Sequence, residues 1–188
     1  FLVGYIDGVN YVDPSIEVLY SYVGDWTNSA KATELANAQY DMGADVIFAV
    51  AGGAGFGACE SAAATGHYAF GVDTDFAGQL EQSGSATADY VVSSAIKQFG
   101  KVVYDAMVKF YNGELEFGKH TSCDVSSGYL EMLETKQFEK IVKEGMPDVY
   151  KRYTEICQDL KDGKIEVGTA VGATPEYVAQ KKAEAAAH

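Results

Sequence analysis

Basic side chains, cysteine, histidine and proline are all scarce in this chain. Its 188 residues include 14 Lys or Arg against 27 Asp or Glu, a formal charge of −13, and Arg152 is the single arginine. A surface of that sign repels phosphate backbones and anionic headgroups, which excludes nucleic acid and direct docking on an anionic membrane. Cys59, Cys123 and Cys157 are far apart and odd in number. They offer no disulfide framework, and no Cys or His pair has zinc-ligand spacing. They read as small packing residues. His67, His120 and His188 are scattered, so no nucleophile, base and orienting group come together, and neither catalysis nor a cofactor is expected. No apolar run approaches the roughly 20 residues of a membrane span. No signal-peptide pattern is present. The chain opens on Phe1 inside a helical pattern, which leads us to expect missing upstream sequence. Residues 181–188, ending AEAAAH, read as a linker and tag remnant.

What is present is a foldable core: hydrophobic residues make up 47% and charged residues 22%, the balance of an ordinary globular domain. Phe1, Tyr5 and Val9 recur at four-residue spacing and predict a helix over 1–11, ended by Asp13-Pro14. IEVLYSYV (16–23) is strand-like. Thr27, Asn28 and Ser29 are N-cap candidates for a helix over 29–42, with Gly43 as its stop. ADVIFAVA (44–51) reads as a strand buried on both faces. GGAGFG then leads into a helix to about Ala64, closed by Gly66, and HYAFGVD (67–73) into another strand. Residues 74–88 read mainly as loop, with a short strand at ATADY. Val92, Ile96, Phe99, Val103 and Met107 predict one long helix over 91–112. Short strands follow in 114–133, with turns at Gly118 and Ser126-Ser127-Gly128. Helices are expected at 135–144 and 147–162, with Pro147 at the first helical position. A strand at 164–170 and a helix after Thr174-Pro175 complete the pattern. The alternation implies an α/β fold: a parallel sheet flanked by helices on both faces, with ligands beyond the carboxyl ends of the strands.

That rule singles out three stretches: 24–28, 51–56 and 73–76. Gly52 and Gly53 let a ligand approach the backbone where a helix begins; a plain tight turn is the alternative. Gly53-x-Gly55-x-x-Ala58, with Asp73 twenty residues on, also fits a relaxed dinucleotide fingerprint, so an NAD(P)-binding oxidoreductase domain stays open. Asp73 suits two vicinal ribose hydroxyls in either case, or simply closes a loop. Phe56 and Trp26 follow strand ends, where an aromatic face either stacks on a base or packs in the core. Lys97, on the polar flank of the predicted helix, is either a hydrogen-bond donor to the ligand or a solvated lysine.

Several of these segments, in order, resemble the basic-membrane-protein family of nucleoside-binding lipoproteins. They are FLVGYIDGVNYVDPSIEV, SYVGDWTNSAKATELA, YDMGADVIFAVAGGAGFGACESA, YAFGVDTD and SSAIKQFGKVVYDAM; the glycine segment is the most specific, and the likeness weakens after residue 112. The resemblance implies a type I periplasmic-binding-protein fold with two lobes, a hinge and a ligand closed between them. On that footing residues 1–112 form the second lobe, 113–133 the hinge crossover, and 134–180 contribute to the hinge and first lobe. It further implies a purine nucleoside ligand (adenosine, guanosine or inosine), a lipid anchor outside the cytoplasm and an ABC permease partner. Asp73 would hold the ribose, Lys97 would donate beside it, Gly52 and Gly53 would line the pocket, and Phe56 and Trp26 would flank it. The family's first lobe has no counterpart here. A fragment that binds nothing, or that forms a homodimer through the uncovered cleft, is the remaining alternative.

Overall fold

The computed structural model describes residues 1–186. Its centre is a four-stranded sheet in the order β1 (Val46–Phe48), β2 (Tyr68–Asp73), β3 (Val91–Lys97), β4 (Leu130–Met132). The first three strands run parallel, and β4 pairs antiparallel with β3. Helices flank them: α1 (Leu2–Val12), α2 (Ser29–Asp41), α3 (Gly55–Thr65), α4 (Phe76–Gln82), α5 (Phe99–Tyr111), α6 (Lys136–Phe138, continued as a π-helical stretch Glu139–Glu144), α7 (Pro147–Lys161) and α8 (Pro175–Ala186). The fold class is therefore α/β, a predominantly parallel sheet between helices, as the alternation of elements predicts.

The helix ends follow local chemistry. Asn28 accepts from Lys31 N and caps α2, and Gly43 past its end takes φ +102°. Gly66 ends α3 in the left-handed conformation. Asp75 accepts from Gly78 N and starts α4, and Pro147 opens α7. Small residues let α2 and α3 approach closely. A methyl group on Gly57 would lie 2.0 Å from the Ser29 carbonyl oxygen, and Thr33 Oγ1 donates to both the Ser29 and Gly57 carbonyls. Ala36, Tyr40, Ala58, Cys59, Ala62, Ala69, Val72, Phe76 and Val91 form the buried core beneath them. Cys59 is enclosed there, and burial pushes its thiol pKa up to about 12, so it is an inert packing residue.

Six local expectations give way to tertiary context. Residues 91–112 are not one helix: 91–97 form β3, and only 99–111 are helical. Val91, Val92, Ser93 and Ser94 are all buried in the sheet, and the serine hydroxyls are satisfied by the Leu133 carbonyl and the Phe76 N–H. A short buried strand can mimic helical spacing. Residues 76–82, expected as loop, form α4, and Ala86–Tyr90 is a 3-10 turn rather than a strand. Residues 16–23 join no strand; Val18 instead packs with Ile6 and Ala185. Residues 164–170 form no strand either, because Gly168 N donates to Asp7 Oδ2 and ties this stretch to α1. Through Ala186 the stretch read as a linker continues α8, where Lys181 pairs with Asp7 at 2.7 Å and with Glu184 at 2.9 Å. The tag reading for residues 187–188 lies outside the described residues.

The α2–α3 approach gives a direct test. Gly57→Ala is expected to cost about 3 kcal/mol by urea denaturation, the upper range for overpacking, because the opposing atoms are backbone. A cost under about 1 kcal/mol would show that the helices separate freely.

Candidate functional site

The carboxyl ends of three adjacent parallel strands converge on one edge. Strands lie about 4.8 Å apart, so β1 and β3 deliver side chains within about 10 Å of each other on either side of Asp73. Asp73 ends β2 with φ +66°, the single non-glycine residue at positive φ among those described. That conformation costs about 1 kcal/mol or more in a side-chain-bearing residue and is retained where surroundings impose it. The Thr74 N–H donates to the Val72 carbonyl at 2.7 Å, folding the chain back immediately past Asp73. Asp75 and Phe76 then start α4.

Lys97 ends β3, not the first turns of a helix as its spacing suggested. The change of element brings it to Asp73: Asp73 and Ile96 are in register across β2 and β3, and Lys97 Nζ reaches Asp73 Oδ1 at 2.7 Å. Both side chains are about a third exposed (34% and 33%), so the pair faces solvent at the edge of the sheet. Oδ1 itself is enclosed and has no aligned hydrogen-bond donor; the ammonium meets it as an ion-pair contact only. With Oδ1 enclosed against the ammonium, the exposure of the side chain falls on its other atoms, so a ligand hydroxyl would meet the carboxylate from the Oδ2 side. Two aromatic rings border the ammonium, Phe1 with its centroid at 4.9 Å and Phe99 at 6.0 Å. Neither stood out in the sequence, because neither follows a predicted strand end.

The glycine turn sits at the end of β1. Gly52 has φ +56°, and the Trp26 ring lies against it, 3.3 Å from where a Cβ would stand. Ala54 N donates to the Trp26 carbonyl at 2.8 Å. Trp26 is thereby held beside Gly52 and Gly53 while the residue as a whole remains 73% exposed. The other glycines of the run serve close packing. A Cβ on Gly55 would meet the Ala49 carbonyl at 2.9 Å and the Phe76 ring at 3.1 Å, and Gly57 faces Ser29. The Phe56 ring stacks on Phe76 at 4.2 Å and 12° and borders the core, which leaves Trp26 as the exposed aromatic on this side. The structure thus joins Asp73 with Lys97, and Trp26 with Gly52 and Gly53, and turns Phe56 toward the core. A cavity of about 760 Å³ runs between residues 16–26 and β1, lined by side chains such as Val18, Leu35 and Ile47. It meets the glycine turn at Trp26 and does not include Asp73 or Lys97.

Among the described residues no cluster of His, Cys, Asp and Glu is suited to a metal, and no helix is long and apolar enough to cross a membrane. A predominantly parallel sheet between helices, with its strand ends on one open edge, is the layout of a lobe of the periplasmic-binding-protein type. Solved structures agree on the fold. A solute-binding protein of an ABC transporter system from Aeropyrum pernix K1 superposes with TM-score 0.71 at 19% identity, over 98% of this chain and 58% of that one. A transcriptional activator of the comK gene from Bacillus halodurans superposes with TM-score 0.68 at 22% identity, over 91% and 52%. The chain belongs to the family described as ABC transporter substrate-binding protein PnrA-like, whose model matches residues 1–167. It is 30% identical over 170 residues to basic membrane protein D of Borreliella burgdorferi, and 29% identical over 174 residues to the ABC transporter nucleoside-binding protein BmpA of Lactococcus lactis. These alignments cover 89% and 87% of this chain but 47% of each relative, so the chain spans about half the length of the curated relatives it matches.

The strained residue allows a stability test. Asp73→Gly relieves a left-handed conformation worth about 1 kcal/mol and loses a solvent-facing ion pair worth about 0–1 kcal/mol. The unfolding free energy from urea denaturation is expected to stay within about 1 kcal/mol of the parent. A loss above about 3 kcal/mol would mean that the pair holds the fold together rather than serving a ligand.

Proposed function

We propose that this chain is one lobe of an extracytoplasmic substrate-binding protein that captures a purine nucleoside for an ABC permease, and that it performs no chemistry. The Asp73–Lys97 pair carries this reading. Its carboxylate is anchored by Lys97 through one enclosed oxygen and stays about a third exposed at the strand ends, where a ribose would lie. Two vicinal hydroxyls would donate to the carboxylate, and Lys97 would donate to the sugar in return. Gly52 and Gly53 seat the Trp26 residue against the backbone, and the other face of its ring is left for the base. The Trp26 indole would stack on it, a contact worth about 1–3 kcal/mol in nucleic-acid sites. The printed name of the Lactococcus lactis relative, a nucleoside-binding protein, supports the ligand class. A first lobe would supply the opposite wall and carry the lipid anchor.

The dinucleotide reading fares worse on the same geometry. The Ala54 N–H, which a pyrophosphate would claim, is already given to the Trp26 carbonyl, and Gly55 and Gly57 are accounted for by packing.

Trp26 is the sole tryptophan, so its fluorescence reports on the site directly. Titration of the 188-residue chain with inosine, guanosine and adenosine should quench it saturably, and Asp73→Asn should weaken the response at least about tenfold, the loss of a charge-assisted hydrogen bond. NADH should give no saturable energy transfer. Silence toward every nucleoside, with a response to another sugar or an amino acid, would overturn the ligand class.

A further inference from the structure

The Asp73–Lys97 contact is weak by itself. Lysine carries its charge on a flexible stem, and at about a third exposure the ammonium competes with water. A solvent-facing ion pair favours the closed contact by about fivefold at most. This pair has a third member. The Phe1 ring lies with its centroid 4.9 Å from Lys97 Nζ, well inside the cation–π range of about 6 Å. Phe99 stands at the limit of that range, at 6.0 Å, and opens α5, a helix with no buried residue along Phe99–Tyr111.

Phe1 is held from its other side. Its ring meets the Phe48 ring at 6.0 Å and 75°, and Tyr5, one turn along α1, lies against the same ring at 5.8 Å. The Tyr5 N–H donates to the Phe1 carbonyl at 2.8 Å, which ties Phe1 to the first turn. Buried Val3 and Ile6 and the Asp7–Lys181 pair anchor α1 in turn. Phe48 ends β1 and Lys97 ends β3, so the Phe1 ring bridges the two strands on either side of Asp73. Yet Phe1 is 56% exposed, and a leucine would serve its packing as well. We propose that Phe1 is a positioning residue of the ligand site. Its ring keeps the Lys97 ammonium on Asp73 Oδ1, which leaves Oδ2 and the remaining ammonium donors for a ligand. The ring adds about two- to fivefold to the closed contact, as much as the ion pair itself. The benefit to a ligand rests on the nucleoside reading above; the hold on Lys97 does not.

The test compares Phe1→Leu, which keeps an apolar side chain without the ring, with Phe1→Tyr, which keeps the ring, in the 188-residue chain. The first readout needs no ligand. It is the rate at which limiting N-hydroxysuccinimide acetate acylates Lys97, followed by peptide mass spectrometry against Lys136, an exposed lysine paired with Glu81 at 2.8 Å. Phe1→Leu should raise the Lys97 rate relative to Lys136 by about two- to fivefold, and Phe1→Tyr should return it to the parent value. Both variants should melt within about 2 °C of the parent, as exposed substitutions do. In the Trp26 titration, Phe1→Leu should weaken the nucleoside response by the same two- to fivefold or so, and Phe1→Tyr should not. A Lys97 rate unchanged in Phe1→Leu, or raised equally in Phe1→Tyr, would overturn the proposal. So would a rise shared by Lys136, which marks general loosening, or a parent nucleoside response that Phe1→Leu leaves intact. A parent chain silent toward nucleosides overturns the ligand class alone, and the acylation rates then decide the role of Phe1.

Discussion

The ring of Phe76 occupies the space that two glycines leave. A Cβ on Gly71 would stand 2.6 Å from it, and one on Gly55 3.1 Å from it. Phe56 stacks on it, and Ser94 of β3 accepts from its backbone N–H. One buried side chain therefore joins the middle strand, the helix after the glycine turn and the third strand. It also fixes the path of residues 73–76, because the chain must leave β2 and return its ring to the sheet within three residues. The left-handed turn at Asp73 follows from that constraint. The strain is local, and the burial of a large aromatic side chain, worth about 1.5–3 kcal/mol, offsets it.

The site inherits its character from this arrangement. Asp73 is pinned at a strand end with its carboxylate aimed across the sheet edge, where β3 delivers Lys97 in register. Trp26 is pinned from the other side by its carbonyl bond to Ala54. Both groups remain partly open to solvent.

Much of the lobe was legible residue by residue. Helices α1 and α2, the strand at 68–73, the helix after the glycine turn and α7 each carry a periodic pattern with a cap or stop, and each forms within a residue or two of its expected ends. Position 91 onward was not legible. Val92, Ile96, Phe99, Val103 and Met107 continue one helical stripe across what is really a strand, a single connecting residue and a helix. The error mattered, because a lysine inside a helix and a lysine at a strand end beside Asp73 have different neighbours. Phe56 shows the converse. Its position after a strand end marked it as a ligand wall, but sequence gives no sign that Phe76, twenty residues away, takes up one face of its ring.

Local chemistry thus determined the alternation of strands and helices, the acidic surface, the glycine turn and the acid at the end of β2, since each depends on periodicity, charge or backbone freedom over a few residues. Tertiary structure alone decided which groups meet. Pairing of β2 with β3 across about twenty residues made Asp73 and Lys97 an ion pair. The carbonyl of Trp26 reached forward to the glycine turn. And α5, helical by its own pattern, was left without a core, because what a helix face packs against is a property of the surrounding layers and not of its own sequence.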